Sequence, residues 1–104
     1  MITKKIIITG GATRIGAAIA KSLADYETAI TIHYNTSKGI ALKLKKELEN
    51  LGSEVYLIKA DLNNLKQTQT LLNLAYNKMK GLNCLINNAS LFENDNLQNF
   101  TEKS

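Results

Sequence analysis

Apolar positions along the chain alternate between short dense runs and longer stretches of helical period. Lys5–Thr9 is a near-continuous isoleucine run, the pattern of a parallel strand covered on both faces. A helix is predicted from about Thr13 to Asp25, with Ile15, Ile19 and Leu23 as its stripe and four alanines (12, 17, 18 and 20) allowing close packing on a sheet. The β-branched alternation of Ala29–Tyr34 predicts a second strand. Asn35, Thr36 and Ser37 then offer N-caps to a second helix striped by Ile40, Leu44, Leu48 and Leu51, which Gly52 ends as a left-handed residue. Glu54–Lys59 follows as strand three. A third helix starts from an Asn63 or Asn64 cap, carries Leu65, Leu72, Ala75 and Met79, and ends at Gly81; Leu82–Asn87 is strand four.

The order βαβαβαβ predicts an α/β fold, the N-terminal half of a doubly wound Rossmann sheet with parallel strands in the order 3-2-1-4. Helices one and two would cover one face and helix three the other. Strand four, with Leu82, Leu85 and Ile86, would present an open apolar edge. At 104 residues there is room for one domain with one small core. Hydrophobic residues at 44% and charged residues at 21% exclude disordered, collagen-like and membrane classes. Met1–Lys5 leads directly into the first strand without a signal-like apolar segment, so the expected location is cytoplasmic and no membrane partner is expected.

The net charge of +4 comes from dispersed lysines. Their nearest approach to a cluster, Lys43, Lys45 and Lys46, is interrupted by Glu47 and Glu49 and reads as a solvated helix face, not a nucleic-acid patch. Cys84, the single cysteine, lies in an apolar run and is expected to be buried and inert. His33, the single histidine, has no carboxylate or serine near it in sequence; a half-buried strand residue is expected, with no metal or triad role.

The chemistry concentrates after the first strand, in Thr9-Gly10-x-x-x-Arg14-x-Gly16. Glycines at a strand-to-helix turn bend the backbone sharply and let a ligand approach the unpaired N–H groups of the helix start, which makes a phosphate cradle. No Gly-Lys-Ser/Thr follows, so ATP hydrolysis is disfavoured. An acidic residue about 20 positions after such a turn would bind a ribose 2′-hydroxyl and repel a 2′-phosphate. None occurs between Thr28 and Lys46, where His33, Asn35, Thr36, Ser37 and Lys38 supply donors and positive charge, so NADP(H) is favoured over NAD(H).

Thr9-Gly10 with Gly16, Ala60-Asp61-Leu62 after strand three and Asn87-Asn88-Ala89 after strand four together resemble the short-chain dehydrogenase/reductase family over essentially the whole chain. Arg14-Ile15-Gly16, His33-Tyr34 and Asn88-Ala89-Ser90-Leu91-Phe92 are most similar to its pteridine reductases. The resemblance implies a cofactor site of Gly10, Arg14, Ile15, Gly16, His33, Tyr34, Asn35, Thr36, Ser37, Asp61, Leu62, Asn88, Ala89 and Ser90. Within it Asp61 would accept from the adenine amino group, or else cap helix three, and Asn88 would brace the sheet. Arg14, Ser90 and Phe92 would face a pterin, with Phe92 stacking on its ring or, alternatively, sealing the core as a loop aromatic. Pterin reductases often place an arginine where Thr36 stands, a grip that Lys38 would replace unless it is only a surface lysine.

The family's catalytic Ser and Tyr-x-x-x-Lys, a proton donor tuned by its lysine, belong to later elements of its considerably longer chains. Two Tyr-x-x-x-Lys strings occur here, Tyr76/Lys80 at the wrong end of helix three and Tyr34/Lys38 across the strand-two exit, and neither is expected to be catalytic. Residues 1–104 would then be a truncated dinucleotide-binding domain with no catalytic residue and no metal. Its partners would be the nucleotide and a separate C-terminal chain or a second copy. The alternative is a non-catalytic nucleotide-binding or assembly module, or a decayed remnant. Asp25-Tyr26-Glu27-Thr28 lacks the glycine expected where helix one turns into strand two, at a cost of about 1 kcal/mol if a left-handed residue is needed there.

Overall fold

The computed structural model describes residues 1–88; Ala89, Ser90 and Phe92, three of the expected site residues, lie outside them. Among the described residues the elements are β1 (Lys4–Thr9), α1 (Arg14–Leu23), β2 (Thr28–Tyr34), α2 (Lys38–Asn50), β3 (Glu54–Lys59), α3 (Leu65–Met79) and β4 (Cys84–Asn87). The strands form one parallel sheet in the order β3-β2-β1-β4, as the alternation predicts. No helix among the described residues is long and apolar enough to cross a membrane.

Alternate residues of each strand serve two cores, because side chains along a strand point to opposite faces. On one face Ile6, Ile8, Ile30, Ile32 and Val55 meet Ala20 of α1 and Leu44 and Leu48 of α2. On the other, Ile7, Ala29 and Ile58 meet Leu71, Ala75 and Met79 of α3. Ile7, Ile8, Ile30 and Ile32 are fully buried, as an isoleucine run between two covered faces requires.

The stripes differ from expectation at their ends. Ile15, Ile40, Leu51 and Leu65 are exposed, and the helices instead seat Gly16 and Ala20, Ala41 with Leu44 and Leu48, and Leu71 with Ala75 and Met79. The buried residues of each helix recur three or four positions apart, so a narrow face meets the sheet and other apolar residues of the helix stay in solvent. Helix α1 stops at Leu23, two residues earlier than expected, and β4 starts at Cys84, two residues later than expected.

The junction between α1 and β2 needs no left-handed residue. Asp25 makes it, its Oδ1 accepting from the Glu27 amide at 2.9 Å and the Thr28 hydroxyl at 2.6 Å. Those two bonds and Lys4 hold the Asp25 carboxyl below the usual carboxylate range. Gly52 has φ 102, the predicted positive value, but α3 closes differently: Lys80 is the left-handed cap at φ 60 and Gly81 follows it. The lysine-rich face is solvated, with Lys45 near Glu49 and Lys21 of α1 near Glu47 of α2 in exposed pairs. Cys84 is exposed, against expectation, because β4 pairs only with β1 among the described residues and Leu85 beside it is 49% exposed.

Candidate functional site

The C-terminal ends of β1, β2 and β3 meet at the turn Gly10–Thr13. Gly10 sits at φ 64, in the left-handed region where only a residue without a Cβ is unstrained. Thr13 caps α1: its Oγ1 accepts from the Gly16 amide at 3.1 Å and donates to the Gly10 carbonyl at 2.8 Å. A Cβ on Gly16 would stand 2.4 Å from the Gly10 oxygen and 2.7 Å from the Gly11 Cα, so the helix start can lie against the turn only with glycine there.

Two side chains from other strands fasten this turn. Asn88, 1% exposed at the end of β4, donates through Nδ2 to the Gly10 carbonyl and to Thr13 Oγ1, both at 3.1 Å, while its amide donates to Thr9 Oγ1 at 2.9 Å. The carbonyl partner fixes which end of the amide faces the turn, leaving Oδ1 buried and without a hydrogen-bond partner among the described residues. This is the bracing role expected for Asn88.

His33 supplies the second fastening. It is 3% exposed, more deeply buried than the half-buried strand residue expected. Its Nδ1 accepts from the Gly10 amide at 2.9 Å, and its Nε2 lies 2.8 Å from the Ala60 carbonyl, to which it donates. One partner is a donor and the other an acceptor, so the ring is neutral with its proton on Nε2. Burial holds the imidazole below the usual histidine range, against the upward pull of the Ala60 carbonyl. Both nitrogens are engaged by backbone, so His33 shapes the site from beneath and presents no polar atom to a ligand. The signal that could have found this role is the single histidine near the exit of a buried strand that lies beside the strand feeding a glycine turn.

Above these fastenings the remaining groups are open. Arg14 and Ile15 begin α1, so their amides have no intrahelical acceptor, and no other acceptor meets them among the described residues. Both side chains are exposed, and no acidic residue stands in the first turn. Tyr34 is half-buried, its carbonyl accepting from the Ala60 amide at 3.0 Å. Asn35 and Thr36 are exposed. Ser37 occupies the N-cap of α2 without a side-chain capping bond, and that first turn also lacks an acidic residue.

Asp61, half-buried at the β3 exit, accepts through Oδ1 from the Asn63 amide at 2.9 Å, while its own amide donates to Gln67 Oε1 at 2.8 Å. It does not cap α3; Asn64 does, accepting from the Gln67 amide at 3.1 Å. An Asx turn at Asp61 competes with capping, and the next free carbonyl side chain takes the cap. Leu62 packs against the core under α3. The structure therefore brings Gly10, Arg14, Ile15, Gly16 and Asn88 together at one turn and sets Tyr34–Ser37 and Asp61–Leu62 at the neighbouring exits.

The Tyr76/Lys80 pair lies at the other end of the sheet. The Lys80 carbonyl accepts from Lys5 Nζ at 2.8 Å, which ties it to the start of β1, about 16 Å of strand from Gly10. Tyr34 and Lys38 belong to different elements, a strand end and a helix start.

The family profile described as short chain dehydrogenase matches residues 4–104. An uncharacterized oxidoreductase of Methylorubrum extorquens is 30% identical over 100 residues, covering 96% of this chain and 40% of that protein. The chain thus spans about two fifths of the length of the curated relatives matched first. The short-chain dehydrogenase/reductase homolog YusS of Bacillus subtilis is 27% identical over 105 residues and is matched over 96% of its own length. Among solved structures, a short-chain dehydrogenase from Oenococcus oeni superposes with a TM-score of 0.77 at 34% identity, over 83% of this chain and 40% of that one. An NADH-dependent reductase complexed with NAD gives a TM-score of 0.75 at 27% identity, over 83% of this chain and 36% of that one.

Proposed function

The chain belongs to the short-chain dehydrogenase/reductase family, and from that premise we propose that it is the NADP(H)-binding half of an oxidoreductase of pteridine-reductase type, one that moves hydride from NADPH to a pterin or carbonyl. The observation that carries the reading is the turn after β1, locked by Thr13, Asn88 and His33, with the Arg14 and Ile15 amides unpaired above it. Unpaired amides at a helix N-terminus, with no carboxylate beside them, fit a pyrophosphate. Gly10 and Gly16 permit its approach, and the Arg14 guanidinium adds charge there.

The adenosine end fits a 2′-phosphorylated ribose. Asn35, Thr36, Ser37 and Lys38 surround the uncapped start of α2, and no acidic residue intervenes before Glu47. Tyr34 would flank the adenine, and Asp61 with Leu62 would receive it from the β3 side. His33 acts from below, through Gly10. When bound, the nicotinamide supplies the hydride; this chain's residues hold the phosphates and adenosine. Arg14, with Ser90 and Phe92, would face the pterin, and Ala89 would lie along the cofactor beside Asn88. Residues 1–104 are then a dinucleotide-binding domain without the catalytic Ser and Tyr-x-x-x-Lys, and are not catalytic alone.

Calorimetric titration tests this. NADP⁺ is expected to bind at least about tenfold more tightly than NAD⁺, a difference of about 1.4 kcal/mol. An NAD⁺ preference, or binding of neither, overturns it. Dihydrobiopterin reduction by the chain alone with NADPH would overturn the non-catalytic half of the reading.

A second reading, an assembly module that pairs with a separate chain carrying Tyr-x-x-x-Lys, draws on β4, where Cys84 and Leu85 are exposed and only β1 is paired among the described residues. Co-purification with such a fragment is the expected result, and a stably folded monomer that ignores it counts against the module.

A further inference from the structure

We infer that His33 is a proton-sensitive latch that positions the glycine turn, so that nucleotide affinity falls as the ring takes up a proton. The inference rests on the nucleotide site proposed above and adds to it a residue that touches no ligand. Its ground is the role each nitrogen plays. Nδ1 accepts the Gly10 N–H at 2.9 Å and Nε2 donates to the Ala60 carbonyl at 2.8 Å, so one ring ties the β1 exit to the β3 exit across β2. A neutral imidazole satisfies both partners, whereas an imidazolium is a donor at both nitrogens and cannot accept from Gly10. Protonation therefore breaks the Gly10 bond while leaving the Ala60 bond in place.

Displacing Gly10 is not a local matter. Its carbonyl receives the Thr13 amide, the Thr13 hydroxyl and Asn88 Nδ2, and Thr13 in turn caps the Gly16 amide. Moving Gly10 thus moves the first turn of α1, where the Arg14 and Ile15 amides wait for phosphate.

The surroundings make the ring the proton acceptor at this spot. It faces the α3 side of the sheet, the side of Ala29 and Ile7, and its register partner on β3 is Ile58. The buried face of α3 is Leu71, Ala75 and Met79, while its Lys66, Tyr76 and Lys78 are exposed. Lys78 lies over the ring of Tyr56, which shares the β3 face with Ile58 farther from the exit. On β1, Lys4 and Lys5 stand at the opposite end. Asp61 follows Ala60, but its carboxylate is turned to the Asn63 amide, and Arg14 and Lys59 are exposed. Among the described residues no charged side chain bonds to the ring, and its burial favours the neutral form.

Two measurements on the full chain decide the matter. In amide NMR titrations the Gly10 N–H is expected to shift with the same midpoint as the His33 ring protons, while the spectrum stays dispersed. NADP⁺ titrations compare the wild type with His33→Asn, whose carbonyl can replace Nδ1 as acceptor but does not ionise, and with His33→Gln, which reaches toward Ala60 instead. Wild-type affinity should fall severalfold more than that of the Asn variant as pH drops from about 6.5 to about 4.5, the range below the ordinary histidine value into which burial shifts the ring, one linked proton allowing at most about tenfold per pH unit. The 2′-phosphate of the ligand titrates in both and cancels. The Gln variant should bind weakly throughout. A Gly10 amide that ignores the ring's titration, or identical pH profiles for wild type and His33→Asn, overturns the latch. If NADP⁺ binds at no pH, the nucleotide reading fails, and the Gly10 titration still decides whether the latch exists.

Discussion

The turn after β1 and the outer strand β4 meet at Asn88 yet are opposite in construction. The turn is nearly all hydrogen bond and close contact: Gly10, Thr13, Gly16, His33 and Asn88 leave few polar groups idle, and glycine is required where backbone meets backbone. Strand β4 is four residues long, mostly exposed, and paired along one side among the described residues. The difference teaches where precision is held. Amides left bare at a helix start stay available only if the turn around them is held, because a loose turn would fold back and satisfy those amides itself; here the Gly10 carbonyl, Thr13 Oγ1 and His33 do the holding, although Asn88 Oδ1 has no partner among the described residues.

The largest effect that would break this contrast is at Gly16. Gly16→Val puts a side chain where a Cβ alone would be 2.4 Å from the Gly10 oxygen, and should cost about 3 kcal/mol or more in urea unfolding and abolish NADP⁺ binding. A mild cost would mean that the turn has room. Thr13→Ala, removing the α1 cap and a partner of Asn88, should cost about 1 to 2 kcal/mol by the same measurement.

Next in size is the pH dependence. The folded His33 pKa lies below its unfolded value of 6.5, so the unfolded chain takes the proton first. The stabilisation is fully present above that value and drains as pH falls from it toward the folded pKa, at up to about 1.4 kcal/mol per pH unit. Unfolding curves of His33→Asn should lose this slope. Smallest is β4: Leu85→Ser, at a position already 49% exposed, should change stability by less than about 0.5 kcal/mol, and Cys84 should react with a thiol reagent in the native state. A large loss at Leu85 would show β4 to be as tightly held as the turn.

Much of this was legible in the sequence because it depends on period and spacing. Ile6–Ile8 and Ile30–Ile32 announce a sheet covered on both faces, and Gly10 with Gly16 announces the turn. The rest depends on distance across the sheet, which spacing does not encode. Nothing near His33 in sequence names Gly10 and Ala60 as its partners, 23 and 27 positions away. Cys84 sits in an apolar run like any core residue, and only the position of β4 outside β1 exposes it. Asp61 and Asn64 both qualify as caps, and the Asx turn at Asp61 decides between them.

The strand order also carries a schedule. β1, made first, is central, and its partner β2 follows 24 residues behind, whereas the residues that join it to β4 are 78 apart. Closing the longer loop costs more chain entropy, and a chain leaving the ribosome can assemble β1, β2 and β3 with α1 and α2 before β4 exists. Asn88, which fastens the turn after β1, is made after everything it fastens, so that turn gains its last tie only when the end of β4 has been synthesised.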